Sequence, residues 1–316
     1  MEREGNKPPR RGQQVRFRIE ARLVEWAWRL IPFFPRRMVV ALANGLGWLA
    51  SCLDRRDRKI ALANLDLAFG PTLSRKKKAE IVRQVFQTFT LTLFDYFWFS
   101  RDTKARIDRY LTIDESAAPW IGKGQKVAVT AHFGNWEIFG HAAVLRGATL
   151  SSVAKPIKNP LVDNIINRIR ENSGQHIIPR AGALKGMMRI LRDEGTVALL
   201  LDQDTRVSEG GVFVDFFGVP VPIAGAVAGL AQKLGVPIVM AYCRNERNGT
   251  YRCYAREVLT PAEMEGLSPT EITAKITGFL EAEIRRDPSQ WLWTYKRWKR
   301  RMPGVDASRY PFYADC

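Results

Sequence analysis

The sequence predicts an α/β fold: an N-terminal helical segment followed by a mixed, largely parallel β-sheet flanked by helices. Three observations lead there. Apolar positions recur at helical spacing through the first hundred residues, punctuated by Pro32, Pro35 and Ser74. From about residue 124 onward, short β-branched or apolar runs alternate with helical stretches across short connections. Hydrophobic residues make up 46% of the 316, enough for the core of one large domain.

Residues 1–14 are polar and rich in Pro and Arg, the composition of a disordered tail. Helical patterns follow over 15–31, 36–52 and 58–68. Ser74 then reads as the N-cap of a long helix reaching Phe99. Strands are predicted over 127–130, 150–154, 176–178, 197–201, 236–242 and 251–255. Helices are predicted between them over 136–145, 160–171, 183–192 and 224–234, with Gly235 as the residue that ends the last of these. A late helix spans 269–286, and an aromatic-basic run, Trp291 to Lys299, follows it. The expected organisation is a tail (1–14), a helical membrane-associating region (15–110), an α/β core (111–302) and a C-terminal tail (303–316).

The charge balance is strongly basic, with 49 Lys and Arg against 32 Asp and Glu, a formal +17. Such a chain is drawn to polyanions: nucleic acid, anionic lipid or an acidic protein. Arg16, Arg18, Arg22 and Arg29 are interleaved with Phe17, Leu23, Trp26 and Trp28. A helix lying in a lipid headgroup layer needs this mixture, cations for phosphates and rings for the acyl boundary. A solvated basic face over a core helix is the plainer alternative. The apolar stretch 38–53 falls short of the ~20 residues a crossing helix needs, so a protein lying on a membrane is expected, with a single N-terminal anchor as the alternative. No helix-turn-helix, zinc-finger or ribonucleoprotein pattern points to nucleic acid. Cys52, Cys243, Cys253 and Cys316 lack CxxC spacing, and the chain has three His. Reduced cysteines and no metal site are expected.

Chemistry concentrates in Val127-Ala-Val-Thr-Ala-His132-Phe-Gly-Asn-Trp-Glu137: a buried-looking strand, a His, a Gly-containing turn, then a carboxylate opening a helix. The carboxyl ends of strands in open α/β sheets are where ligands bind. A His placed there can serve as general base, and a carboxylate on one ring nitrogen fixes the tautomer and leaves the other free to accept a proton. His132 and Glu137 are the catalytic candidates. Taken alone, His-x4-Glu is equally well read as a turn-capping His and a Glu favoured by the helix dipole.

His132-Phe-Gly-Asn-Trp-Glu137 resembles the signature of the bacterial lipid A late acyltransferases, within the wider glycerolipid and lysophospholipid acyltransferases. Further blocks resemble that family in order: Asn64-Leu65 with Ala68-Phe69, Asn159-Pro160 with Arg168-Ile-Arg170, Ala183-Leu-Lys185-Gly186, Leu201-Asp-Gln-Asp204, Gly211 to Gly218, and Trp291 to Lys299. The resemblance implies a glycerolipid-acyltransferase-like fold at the cytoplasmic face of the bacterial inner membrane. It implies acyl transfer from acyl carrier protein to a hydroxyl of an anionic, Kdo-bearing lipid A precursor, with no covalent enzyme intermediate and no cofactor. In that reading Glu137 orients His132, and Arg168 and Arg170 hold acceptor phosphates or sugar acids. Asp202 and Asp204 support the site or contact sugar, and Asn135 and Lys185 contribute to substrate binding. Asp95 stands where many members carry a Glu after Gly. Other glycolipid or lysophospholipid acceptors stay open, as does a non-catalytic, basic membrane-binding protein.

Overall fold

The computed structural model describes residues 11–179 and 182–315. Four helices come first: α1 (Arg11–Leu30), α2 (Arg36–Leu53), α3 (Arg55–Phe69) and α4 (Arg75–Trp98). The starts of α2, α3 and α4 have local causes. Pro35 sits at the N-cap of α2, the Asp54 carboxylate caps α3 through the amide of Asp57, and Ser74 caps α4 through the amide of Lys77. Of the tail expected to be disordered over 1–14, residues 11–14 belong to α1. Residues 1–10 and Cys316 lie outside the described residues.

After α5 (Thr103–Tyr110) the chain enters the sheet with β1 (Leu111–Ile113). Alternating units follow: β2 (Lys126–Thr130), α6 (Trp136–Leu145), β3 (Leu150–Ala154), α7 (Pro160–Asn172), β4 (His176–Pro179), α8 (Ala183–Arg192) and β5 (Thr196–Leu200). A hairpin, β6 (Gly211–Phe216) and β7 (Val219–Ala224), leads to α9 (Ala226–Leu234), β8 (Ile238–Asn245) and β9 (Tyr251–Leu259). The short α10 (Pro261–Met264) and the long α11 (Pro269–Arg286) complete the elements. The seven-stranded sheet runs β1-β9-β8-β2-β5-β3-β4. Only the β8–β9 pair is antiparallel. The fold is therefore α/β with a largely parallel sheet and an N-terminal helical segment.

The hairpin β6–β7 went unread as strand because β7 contains Pro220 and Pro222, which argue against a central strand. It forms a separate two-stranded sheet, where the proline nitrogens need not donate to a third strand.

The helical segment is welded to the sheet rather than appended to it. Ala43, Gly47 and Ser51 are buried on one face of α2. A Cβ on Gly47 would fall 2.6 Å from the Gln87 Cα of α4, so the two backbones approach closely only because this residue is glycine. Beneath them, the Arg36 guanidinium makes a two-pronged ion pair with the fully buried Asp95 carboxylate. The Tyr251 hydroxyl of β9 donates to the same carboxylate, and Arg36 Nε donates to the Gly249 carbonyl at 2.9 Å. The Arg36 cation also faces the rings of Trp98, Phe99, Tyr110 and Tyr251. Burial drives the Asp95 pKa up despite this arginine, so the carboxylate depends on its partners.

Removing one partner of a buried ion pair strands a charge, at a cost of about 3–5 kcal/mol. Asp95→Ala is expected to destabilise the chain by that order, and adding Arg36→Met to recover a substantial part of it. Denaturant midpoints of the two variants check both values.

Candidate active site

Strands β2 and β5 are adjacent and parallel, with Thr130 opposite Leu200 and a constant offset of 70 residues. Two residues beyond each strand end, the same offset pairs His132 with Asp202. Neighbouring strands lie ~4.8 Å apart, so side chains leaving the two ends meet. The His132 Nδ1 lies 2.8 Å from Asp202 Oδ1, and the His132 amide donates to Asp202 Oδ2 at 2.9 Å. The Trp291 indole donates to the same Oδ2 at 2.9 Å.

This arrangement sets the tautomer. A carboxylate facing Nδ1 accepts the proton carried there, which leaves the Nε2 lone pair as the acceptor. Nε2 lies 3.3 Å from the side-chain amide of Gln203. The ring packs against Trp136, centroids 4.6 Å apart. Burial lowers the ring's proton affinity, but the charge and hydrogen bond of Asp202, with the more distant charge of Glu137, outweigh it. The net pKa is above the ordinary 6.5. Asp202 stays ionised: burial pushes its pKa up, but the interactions with His132 and Trp291 hold it below the usual carboxylate value.

The backbone around the ring is held equally firmly. The His132 carbonyl accepts from Leu292 N at 3.0 Å, Gly134 N donates to the Gln290 carbonyl, and Asn135 N donates to the Cys243 carbonyl. Thr92 of α4 donates to the Gly134 carbonyl at 3.2 Å. Gly134 adopts φ +57°, and a Cβ there would fall 1.9 Å from the Cys243 oxygen. The turn from β2 into α6 thus requires glycine between the His and the Glu.

Glu137 occupies a different place from the one its spacing predicts. Among the described residues no hydrogen bond joins it to His132. Its carboxylate accepts from Arg170 Nη2 at 2.6 Å and Nε at 3.3 Å, and from the Trp136 indole at 3.1 Å. Arg170, over the Tyr96 ring, holds the Glu137 pKa down against burial. His141, one turn along α6, is buried, and burial takes its pKa down to about 4. Opening the helix turns the Glu137 side chain toward α7, while the strand register delivers Asp202 to the ring instead.

The other expected residues separate. Arg170 is engaged by Glu137. Arg168 is exposed and lies over the Trp28 ring of α1. Two residues apart on one helix, the arginines face different neighbours. Asn135 is completely buried and caps α6 through the Ile138 amide, so it faces the fold rather than a ligand. Lys185 is exposed in the first turn of α8, which follows β4, the edge strand of the sheet. Asp204 accepts from Arg300 Nε at 2.8 Å, its amide donates to the Tyr295 hydroxyl at 3.0 Å, and its Oδ1 is buried with no hydrogen-bond partner among the described residues.

Gln203, Trp291 and Tyr295 belong to the site and were not singled out from the sequence. Their signal was their position inside two blocks, Leu201 to Asp204 and Trp291 to Lys299, that were noted only as blocks. The indole of Trp291 is the link between the site and the aromatic core, where it packs edge-on against Trp293 with centroids 4.6 Å apart.

Comparison with known proteins agrees in extent with the fold and the site. Residues 12–300 match the family described as bacterial lipid A biosynthesis acyltransferase. A lipid A biosynthesis acyltransferase of Haemophilus influenzae is 27% identical, over 90% of this chain and 91% of that protein. The lipid A biosynthesis lauroyltransferase of Escherichia coli is 28% identical, over 89% and 91%. A phosphatidylinositol mannoside acyltransferase of Mycobacterium tuberculosis is 25% identical, over 59% and 57%. With the match running from α1 to the end of the aromatic-basic block, this chain belongs to the bacterial lipid A biosynthesis acyltransferase family.

Proposed function

We infer that this acyltransferase moves a fatty acyl chain from an acyl carrier protein thioester to a hydroxyl of a lipid A precursor, with His132 as general base. The observation that carries the reading is the His132–Asp202 hydrogen bond, which leaves Nε2 as the proton acceptor. A lipid hydroxyl needs such a base at neutral pH, whereas a thioester needs only an activated nucleophile and some stabilisation of its oxyanion.

In the proposed reaction Nε2 takes the acceptor hydroxyl proton as the oxygen attacks the thioester carbonyl. The tetrahedral intermediate then expels the sulfur. The imidazolium returns the proton to the leaving thiolate, releasing ester and thiol. The Nδ1 proton stays toward Asp202, whose charge stabilises the imidazolium. Glu137 adds negative potential at longer range, and Arg170 keeps it ionised. Gln203 supplies an amide beside Nε2, where a developing oxyanion or the attacking oxygen would lie. Arg168 and Lys185 are the cations left for acceptor phosphates or sugar acids. The chemistry calls for no metal or organic cofactor. The mannoside acyltransferase relative supports a second reading with the same chemistry on another sugar-bearing lipid.

Membrane contact is supported by a face of α1 and α2. Val15, Ile19, Leu23, Trp26 and Leu30 recur three or four residues apart and are exposed. Arg18, Arg22 and Arg29 are exposed on the same helix. Leu42, Leu46, Leu49 and Leu53 extend the exposed apolar surface along α2. No described helix is long and apolar enough to cross a bilayer, so we read this face as lying in the interface of the cytoplasmic leaflet.

Wild type is expected to acylate a Kdo-bearing lipid A precursor from acyl carrier protein thioesters in detergent, and His132→Ala to lose about 10²–10⁴ of that turnover. Acylation of a mannosylated lipid alone would select the second reading. Asp202→Asn is expected to lower turnover more than Glu137→Gln, because Asp202 touches the ring and Glu137 does not; kcat for the two variants checks the order. The base must be neutral to act and its pKa is raised, so kcat/KM should fall on the acid side through a pKa above 6.5. Asp202→Asn should move that limb to lower pH. Leu23→Glu with Trp26→Glu is expected to cut co-flotation with anionic vesicles about tenfold or more, with detergent activity retained.

A further inference from the structure

Away from the catalytic pair, α3 and the C-terminal segment enclose an open cleft of about 480 Å³. Leu62, Ala63, Phe312, Arg55, Arg58, Lys59 and Asp66 line it, three cations against one carboxylate. Phe312 is 61% exposed, and the Lys59 ammonium sits 4.4 Å from the centre of its ring. Arg55, Arg58 and Lys59 are exposed and make no ion pair among the described residues. The nearby acids are otherwise engaged: Asp54 caps α3, Asp66 pairs with Lys78 at 2.5 Å, and Asp57 is partly buried beside Arg56 and Lys296.

The cleft shares a wall with the site. The Asn64 amide of α3 donates to the carbonyls of Trp293 and Tyr295, and the Tyr295 hydroxyl accepts from the Asp204 amide, two residues from Asp202. Tyr313, next to Phe312, donates to the Asn64 side-chain oxygen. A partner seated on the cleft thus rests against the segment that borders His132.

We propose that this cleft docks the acidic helix of the acyl carrier protein that delivers the thioester. The proposal rests on the donor reading given above. Apolar side chains flanked by three cations without an ion pair among the described residues, beside an Asp66 carboxylate already paired with Lys78, complement a helix with carboxylates around an apolar centre. The concavity fits a helix, whereas the apolar face suited to a bilayer lies on α1 and α2.

The test is initial-rate kinetics of wild type and Arg58→Glu/Lys59→Glu at two ionic strengths, varying the acyl carrier protein thioester, with Lys233→Glu/Lys275→Glu as a variant of equal net charge. These positions are exposed, so the fold is retained. The expected result is a tenfold or larger rise in KM for the carrier thioester at low salt, shrinking at high salt. Acceptor KM, kcat, phosphatidylglycerol-vesicle binding and the control variant should be unchanged. An unchanged carrier KM overturns the docking site, and so does loss of vesicle binding without a change in that KM, which assigns the cations to lipid headgroups. A wild type that ignores the carrier thioester yet accepts acyl-coenzyme A overturns the donor reading itself, and that result is visible before any variant is made.

Discussion

The Asp202 carboxylate receives hydrogen bonds from the His132 ring, the His132 amide and the Trp291 indole. These donors come from the end of β2 and from the aromatic segment near the C-terminus, while Asp202 itself closes β5. Three distant parts of the chain therefore meet at one anion. The anion is affordable in a buried setting because every hydrogen bond it accepts is fixed by elements that pack for other reasons. The sheet register supplies the first contact and the aromatic core supplies the last. The Trp291 indole that reaches Asp202 also packs against Phe216 and Trp293, so the geometry of the His132–Asp202 pair is coupled to the packing of the largest core.

A second buried carboxylate, Asp95, does comparable work for the helical segment. It joins α2 and α4 to β9 through Arg36 and Tyr251. Its position in the chain coincides with an acidic residue expected from the family resemblance, but its surroundings are those of a structural pair. Thr92, one turn earlier on α4, reaches the Gly134 carbonyl, so the same helix that anchors the N-terminal segment also braces the turn after His132.

Most helices were legible because their ends carry local chemistry. Ser74 and Pro35 mark boundaries within a few residues, and the helices 136–145, 183–192 and 269–286 stand where the pattern put them. Strand ends moved by one or two residues where apolar runs continue beyond the ladder, as at Val236 and Leu201, and by three and four where β8 and β9 run on to Asn245 and Leu259. The three-residue β1 and the proline-bearing β7 gave too little alternation to be read. The site divides in the same way. His132 was legible from its place at a strand end. Its carboxylate partner was not, because pairing positions 132 and 202 requires knowing that β2 and β5 are neighbours. Proximity in sequence favoured Glu137, and proximity across the sheet favoured Asp202. Asn135 was read only as a ligand-facing amide, and its helix-capping role was not legible because the two kinds of amide look identical in a motif.

One joint has a consequence for how the N-terminal helix should be regarded. Asn159 caps α7 through the Leu161 amide, and its side-chain NH₂ donates to the Phe17 carbonyl and the Glu20 carboxylate of α1, each at 2.9 Å. Arg168 and Arg170 lie farther along α7, the former over Trp28 of α1. The first helix is consequently a buttress as well as the bearer of the exposed apolar face proposed for membrane contact. Cutting it away to obtain a more soluble protein would strip the support from the helix whose Arg170 clamps Glu137, so solubility and an intact pocket draw on the same twenty residues.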